Sequence, residues 1–303
     1  MTNLCIKEAL RFESNIKDEH DAQRDRELLL QYTLNVSRAY LYTHPESPLS
    51  STQTTTFQHA MMQRQQGMPI AYITGQRAFW SLELDVTPDT LIPRPETEQL
   101  VEIALSALDA TAPISLLDLG TGSGAIALAL ATERPEWHIT ACDRSENALT
   151  VATQNAKRLG LLNINFVLSD WLQSFSQQRF DAIISNPPYL SAEDPHLQQG
   201  DLRFEPPSAL ISGQSGLEAL HTIIQNTYNS LNDHGILLLE HGCKQGAAVH
   251  DLLHHYGYHD IQCWQDGQGH DRVTGGKKIL QDCEKSAIMD PNLLGANNFN
   301  KSE

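Results

Sequence analysis

Four consecutive residues, Asn186-Pro187-Pro188-Tyr189, carry the clearest chemistry in the chain. They follow an apolar run, Phe180 to Ser185, whose length and composition predict a buried strand. Two prolines cannot continue a ladder, because neither has an N–H and both fix φ. The chain must therefore leave the sheet after Asn186. That puts a short amide, free carbonyls and an aromatic ring at the C-terminal edge of a strand, where ligands bind in open α/β sheets. The Asn186 side-chain oxygen and the Pro187 carbonyl are two acceptors that can hold a planar –NH2 group by both its N–H bonds. The lone pair of that group then points out of plane. Tyr189 offers a ring face on which a flat group can lie. The arrangement suits an amide or exocyclic amine acting as nucleophile. The same tetrapeptide also reads as a Pro-rich turn with an Asn cap, and alone it does not separate the two.

A second constellation lies upstream. Ser115 to Leu119 predicts a buried strand, Gly120-Thr121-Gly122-Ser123-Gly124 a glycine loop, and Ala125 to Glu133 a helix rich in Ala and Leu. Glycines in such a loop permit a tight turn and a close ligand approach to the backbone. Their alternate spacing, G-x-G-x-G, differs from the dinucleotide fingerprint G-x-G-x-x-G. The next predicted strand, His138 to Cys142, ends in Asp143, and a carboxylate there can accept from both hydroxyls of a ribose. Loop, helix, strand and terminal Asp together point to a nucleoside-bearing cofactor.

These groups need a scaffold, and the surrounding pattern supplies one. A helix from Ser145, a plausible N-cap, to Arg158 precedes a third strand, Ile164 to Leu168. Ser169-Asp170-Trp171 follows, able to hold a purine by stacking and a hydrogen bond, although Trp171 also suits a core. The strand bearing Asn186 comes fourth. Alternating βα units imply an α/β fold with a parallel, doubly wound sheet. Further on, Ser191 to Ser215 forms a long polar loop, Leu217 to Leu231 a helix, and Gly235 to Glu240 a buried strand. A helix ending at Leu252 to His255 follows, and Ile261 with Lys277 to Leu280 is expected to close the sheet.

The N-terminal stretch differs. Residues 1–75 read as a separate helical module, with Leu28, Leu29, Tyr32, Val36 and Tyr40 at helical spacing and a second helix from Thr54 to Gln66. Tyr72 to Gly75 and Phe79 to Val86 read as short strands, giving a hairpin linker over 76–92. In Leu91 to Glu98, Pro95 suits a first helical turn, Glu96 and Glu98 suit its positive end, and Arg94 is expected to line a pocket. Residues 93–281 form the α/β domain, and 282–303 a polar tail expected to be disordered.

Composition narrows the function. With 303 residues, 40% of them hydrophobic, the chain can bury a full core. A net charge of −16 disfavours phosphate backbones and hence direct nucleic-acid binding. The five cysteines, Cys5, Cys142, Cys243, Cys263 and Cys283, form no CxxC, and nothing resembles a secretory signal, so reduced cytoplasmic thiols are expected. No apolar run approaches the ~20 residues a membrane helix needs. His250, His254, His255 and His259 lack a completing carboxylate or cysteine at ligand spacing, so no metal site is expected.

The glycine loop, the ribose Asp and the Asn-Pro-Pro-Tyr run resemble Rossmann-like S-adenosylmethionine-dependent methyltransferases that act on amino or amide nitrogens. Within that class the pattern occurs in adenine-N6 enzymes and in glutamine-N5 enzymes. Ala71 to Gly75, Leu91 to Glu98, Asp118 to Gly124 and Ser185 to Tyr189 are similar to the peptide chain release factor N5-glutamine methyltransferase family (PrmC/HemK), with Arg94-Pro95-Glu96-Thr97-Glu98 the more telling. The resemblance spans residues 5–280. It implies methylation of the glutamine amide in the Gly-Gly-Gln loop of release factors, with S-adenosyl-L-methionine as cofactor, release factors as partners, and residues 1–75 as a docking domain. It places cofactor binding on Gly120, Thr121, Gly122, Ser123, Gly124, Asp143, Trp171 and Asn186. It places substrate binding on Asn186, Pro187, Pro188 and Tyr189, with Asn186, Pro187 and Tyr189 catalytic. Gly275-Gly276-Lys277-Lys278 departs from the family's Gly-Arg near the last strand, which is expected to alter a surface contact. A nucleic-acid adenine methyltransferase, a non-catalytic binding module and a nicotinamide dehydrogenase remain as alternatives, disfavoured by charge, by the intact motifs and by the glycine spacing respectively.

Overall fold

The structure, a computed structural model, describes residues 4–13 and 19–279. The tail expected to be disordered, residues 282–303, and Leu280 lie outside the described residues.

Among the described residues, five helices come first: α1 (Ile6–Ala9), α2 (Glu19–Leu34), α3 (Arg38–Thr43), α4 (Ser51–Gln65) and α5 (Ile70–Thr74). Ser37 and Ser50 start α3 and α4 by accepting the N–H groups of Tyr40 and Gln53. Leu29, Leu30, Leu41, Phe57 and Met61 form the small core between them. The expected stripe splits: Leu29 is fully buried and Val36 packs against this core, whereas Leu28, Tyr32 and Tyr40 are 37%, 46% and 36% exposed. The period breaks between them: α2 stops at Leu34, and Asn35 takes a left-handed φ of 52°. Tyr72 to Thr74 are likewise helical, not extended. Their β-branched residues fit one short turn that Gly75 ends at φ 74°. The hairpin begins at Gln76, pairing β1 (Gln76–Phe79) with β2 (Leu82–Asp85). A 3-10 turn, Pro95–Thr97, leads into α6 (Glu98–Ala107).

The rest of the described residues wind around seven strands. They are β3 (Ser115–Leu119), β4 (His138–Asp143), β5 (Ile164–Leu168), β6 (Phe180–Ser185), β7 (Leu231–Glu240), β8 (His259–Gln265) and β9 (Asp271–Lys277), in the order β5-β4-β3-β6-β7-β9-β8. The first five are parallel, and β9 and β8 add antiparallel at one edge. Helices α7 (Ala125–Glu133), α8 (Glu146–Leu159), α9 (Pro207–Leu210), α10 (Glu218–Thr227) and α11 (Gly246–His255) are the other helices among the described residues. One face of the sheet buries Leu116, Ile139, Ala182 and Leu238 with α6 and α7, and the other buries Leu117, Ile183, Leu237 and Leu239 with α10 and α11. Gly275 allows β9 to close on β7: a Cβ there would lie 2.5 Å from the Leu238 side chain and 2.8 Å from the Leu237 carbonyl. Of the two lysines beyond it, Lys277 faces Asp260 at 3.6 Å and Lys278 donates to the Leu231 carbonyl at 2.9 Å.

Register aligns the chemistry. Leu119 sits opposite both Cys142 and Ser185, and Ser185 sits opposite Leu239. The next residue of each strand or its exit is therefore level with the others. Gly120, Asp143, Asn186 and Glu240 meet at one C-terminal edge, around the point where strand order reverses between β3 and β6.

Candidate active site

A cavity of about 300 Å3 opens above this edge. Gly120, Gly122, Asp143, Trp171, Asn186 and Pro188 line one side, with Ser169 and Asp170. Thr90, Leu91 and the segment from Ser208 to Gly213 line the other. The long polar loop thus contributes a wall. It is held by the ion pair between Arg94 and the buried Glu205, whose carboxylate also accepts the Ile92 N–H. Arg94, expected in the pocket, turns to this partner instead.

The glycine loop is shaped by its φ angles. Gly120 lies at φ 75°, and a Cβ there would sit 3.5 Å from the Trp171 ring. Gly124 lies at φ 89° as the first cap of α7, where a Cβ would meet Leu128 at 2.8 Å. Of the loop residues, Gly120 and Gly122 reach the cavity and Thr121, Ser123 and Gly124 do not. Thr121 and Ser123 are 6% and 2% exposed, and the Thr121 hydroxyl donates to Asp118 Oδ2 at 2.7 Å. Complete burial pushes the Asp118 carboxyl up to about 7, against the hydrogen bonds from Thr121 and the Ala127 backbone.

Asp143 is locked from both sides. Oδ2 accepts the Gly122 N–H at 3.0 Å and Oδ1 the Ser145 N–H at 2.9 Å. Each oxygen keeps a lone pair for the cavity, so the carboxylate can still accept two hydroxyl protons. Trp171 holds a left-handed φ of 49°. Its carbonyl takes the Ser169 hydroxyl at 2.9 Å and the Cys142 thiol at 3.7 Å, and burial pushes that thiol up to about 12. The ring thereby covers Gly120 and forms a flat wall. These features fit a nucleoside: paired acceptors for a ribose, bare backbone beneath it and an indole face for a base.

Asn186 donates from Nδ2 to Thr97 Oγ1 at 3.0 Å, leaving Oδ1 without a partner among the described residues. Pro187 is buried, and no hydrogen bond to its carbonyl occurs among the described residues. Pro188 lines the cavity and Tyr189 does not. Tyr189 packs beside the cluster of Leu237, Leu239 and Val249, its carbonyl accepting Gln245 Nε2 at 3.0 Å, and burial raises its phenol. Thr97, Glu240 and Gln245 also support this exit, outside the residues that the motifs mark. Glu240 gave one signal: an acidic residue closing an apolar strand, as Asp143 does. Among the described residues, no group of three or more His, Cys, Asp or Glu could hold a metal, and no helix is long and apolar enough to cross a membrane.

Comparison with known proteins places these features in a lineage. Residues 9–75 match the PrmC N-terminal domain model, and residues 98–200 match the methyltransferase small domain model. The release factor glutamine methyltransferase of Salmonella typhimurium is 47% identical over 264 residues, covering 87% of this chain and 95% of that protein. That of Escherichia coli K12 is 44% identical, covering 90% and 97%, and that of Pseudomonas aeruginosa 46%, covering 91% and 99%. Among solved structures, the hMettl16 catalytic domain in complex with MAT2A 3'UTR hairpin 1 superposes with a TM-score of 0.56 at 14% identity, covering 83% of this chain and 93% of that one. At that identity it shares the Rossmann-like methyltransferase fold alone. With such identity sustained across nearly the full length of its relatives, the chain belongs to the release factor glutamine methyltransferase family.

Proposed function

We propose that this chain methylates the side-chain amide nitrogen of the glutamine in a release factor's Gly-Gly-Gln loop. The observation that carries this reading is the unpartnered Oδ1 of Asn186 on the wall of a nucleoside-shaped cavity, next to a free Pro187 carbonyl. Bound S-adenosyl-L-methionine supplies an electrophilic methyl on a sulfonium. Gly120 and Gly122 would lie under it, Asp143 would take its ribose hydroxyls, and Trp171 would lie against its flat base. Thr121, Ser123 and Gly124 support the loop from behind, since their side chains or Cβ positions face the interior.

The acceptor side is the work of the strand exit. An amide nitrogen is a poor nucleophile because its lone pair is delocalised into the carbonyl. Asn186 Oδ1 and the Pro187 carbonyl would each accept one N–H, turn the lone pair out of plane and fix its approach. The nitrogen would form its new bond to the methyl carbon as the carbon–sulfur bond breaks and its electron pair leaves with sulfur as a neutral thioether, and would then shed one proton to water, so no side chain has to act as base beforehand. Tyr189 contributes by holding the exit: Gln245 ties its carbonyl to α11, and the ring packs behind the motif. Residues 1–75 are read as the domain that docks the release factor, joined by the hairpin to a catalytic domain over 93–281. The acidic balance of 21 Lys+Arg against 37 Asp+Glu supports a protein acceptor in preference to a nucleic acid. The cysteines among the described residues, Cys5, Cys142, Cys243 and Cys263, are unpaired, which supports a cytoplasmic setting.

Asn186→Ala is the direct test. It should lower turnover on a release factor by at least ~10²-fold, the scale of losing one positioned polar group at a reacting centre. Cofactor affinity should stay measurable. Near-normal turnover in that variant overturns the assignment.

A further inference from the structure

Behind Asn186 lies a buried acid that lines no part of the cavity. Glu240 ends β7 one residue past Leu239, and the pairing of Leu239 with Ser185 seats Glu240 beside Asn186. Glu240 is 1% exposed and Thr97, from the 3-10 turn, 4%. The Thr97 hydroxyl accepts the Asn186 amide N–H at 3.0 Å, and the Glu240 carboxylate lies within reach of both the Thr97 hydroxyl and the Asn186 amide. Glu240 Oε2 has no partner among the described residues. A fully buried acid with half its hydrogen-bonding capacity unused is costly to keep for packing alone.

We propose that Glu240 is a positioning residue for methyl transfer: through Thr97 its carboxylate holds the Asn186 amide with nitrogen turned inward and Oδ1 turned to the acceptor nitrogen. This rests on the glutamine reading above. Without the anchor the Asn186 amide can flip, and a flipped amide presents N–H to the N–H of the acceptor. The ionised carboxylate also polarises the chain of hydrogen bonds, which makes Oδ1 a stronger acceptor. That matters most as the acceptor nitrogen gains positive charge.

Three other charged or titratable groups face the carboxylate: Arg272 from β9, Glu96 from the 3-10 turn and Tyr189 from the exit of β6. Arg272 is shared, since it also binds Asp266 at 2.9 Å. Burial pushes the Glu240 carboxyl up to about 7, opposed by Thr97, Arg272 and Asn186 and reinforced by Glu96. The anchor is therefore charged on the alkaline side of neutrality and lost on the acid side.

The experiment measures kcat, KM for an unmethylated release factor, and cofactor Kd by calorimetry, between about pH 6 and 8. It compares wild type with Glu240→Gln, Thr97→Val and Thr97→Ser. Wild-type kcat should fall towards acid pH with a midpoint near that of Glu240. Glu240→Gln should lower kcat about 10- to 100-fold, the loss of one charge-assisted hydrogen bond. It should also abolish the acid limb and leave cofactor Kd within about threefold. Thr97→Val should lower kcat similarly, and Thr97→Ser should restore it. A Glu240→Gln enzyme with wild-type kcat and an intact acid limb overturns the proposal. So does a Thr97→Val defect that appears only as weakened cofactor binding. A wild-type enzyme that transfers nothing to the release factor refutes the glutamine reading itself, a separate and earlier failure.

Discussion

Asp143→Asn isolates the ribose contact at nearly constant shape. In the wild type the two carboxylate oxygens accept backbone N–H groups from Gly122 and Ser145 at 3.0 and 2.9 Å, and each offers its second lone pair to the cavity. The amide removes the charge and turns one acceptor into a donor. A hydrogen bond to a charged acceptor contributes ~1.5–3 kcal/mol against ~0.5–1.5 for a neutral pair, so two weakened hydroxyl contacts cost about 2 kcal/mol. That is about 30-fold in Kd. The –NH2 group must also face either the Gly122 or the Ser145 N–H. The clash loosens the glycine loop before any ligand arrives and adds to the loss. Calorimetric titration with S-adenosylmethionine at fixed salt reads the result, with the folded state checked by circular dichroism. A Kd at least about 30-fold above wild type is expected. A folded variant that binds within about threefold of wild type would show that Asp143 does not hold the ribose and that the cavity takes the cofactor another way.

Asp118 is raised from 3.8 to about 7, so the stability it contributes is present below its unfolded value and is lost as pH rises through 7. Asp118→Asn should therefore be more favourable, relative to wild type, at pH 8 than at pH 5, by about 2–3 kcal/mol, the part of the shift that lies above pH 5 at ~1.36 kcal/mol per unit. Equal differences in urea midpoints at the two pH values would contradict this. Gly216 stands at φ 80°, and a Cβ would lie 2.5 Å from the Tyr189 carbonyl, so Gly216→Ala should cost ~1–3 kcal/mol in chemical denaturation. Glu205→Ala leaves Arg94 only 26% exposed without its partner and should destabilise by ~3 kcal/mol. Adding Arg94→Ala should recover part of that loss, which a double-mutant cycle measures.

The parallel core was readable because its signals are local. The strand of β3, the glycine loop and α7 fall at the predicted bounds, since an apolar run, alternate glycines and an Ala-rich stretch succeed one another without ambiguity. Asn186 fell at a strand exit because two prolines leave the chain no other course. The helical module was less legible. Its second long helix is rich in Gln and Thr, the apolar stripes are weak, and a left-handed Asn35 breaks the period. Tyr72-Ile73-Thr74 favour extended backbone by side-chain shape, yet the seven residues before the hairpin bury one turn of helix more readily than an isolated strand. What could not be read at all was the support behind the motif. Thr97 reaches Asn186 across 89 positions and Arg94 reaches Glu205 across 111, and no local pattern records such pairings. Within the glycine loop the resemblance puts cofactor contacts on Thr121 and Ser123 as well; their side chains turn inward because the intervening glycines take the left-handed turns, which leaves their backbone to make such contacts.

Transfer of labelled methyl from S-adenosylmethionine to three acceptors in parallel tests the central claim most directly. The acceptors are an unmethylated release factor, the same protein with the glutamine of its Gly-Gly-Gln loop replaced by alanine, and unmethylated DNA. Label on the first alone is the predicted result. Label on the alanine variant or on DNA, or none on the intact release factor while the cofactor binds, would contradict it.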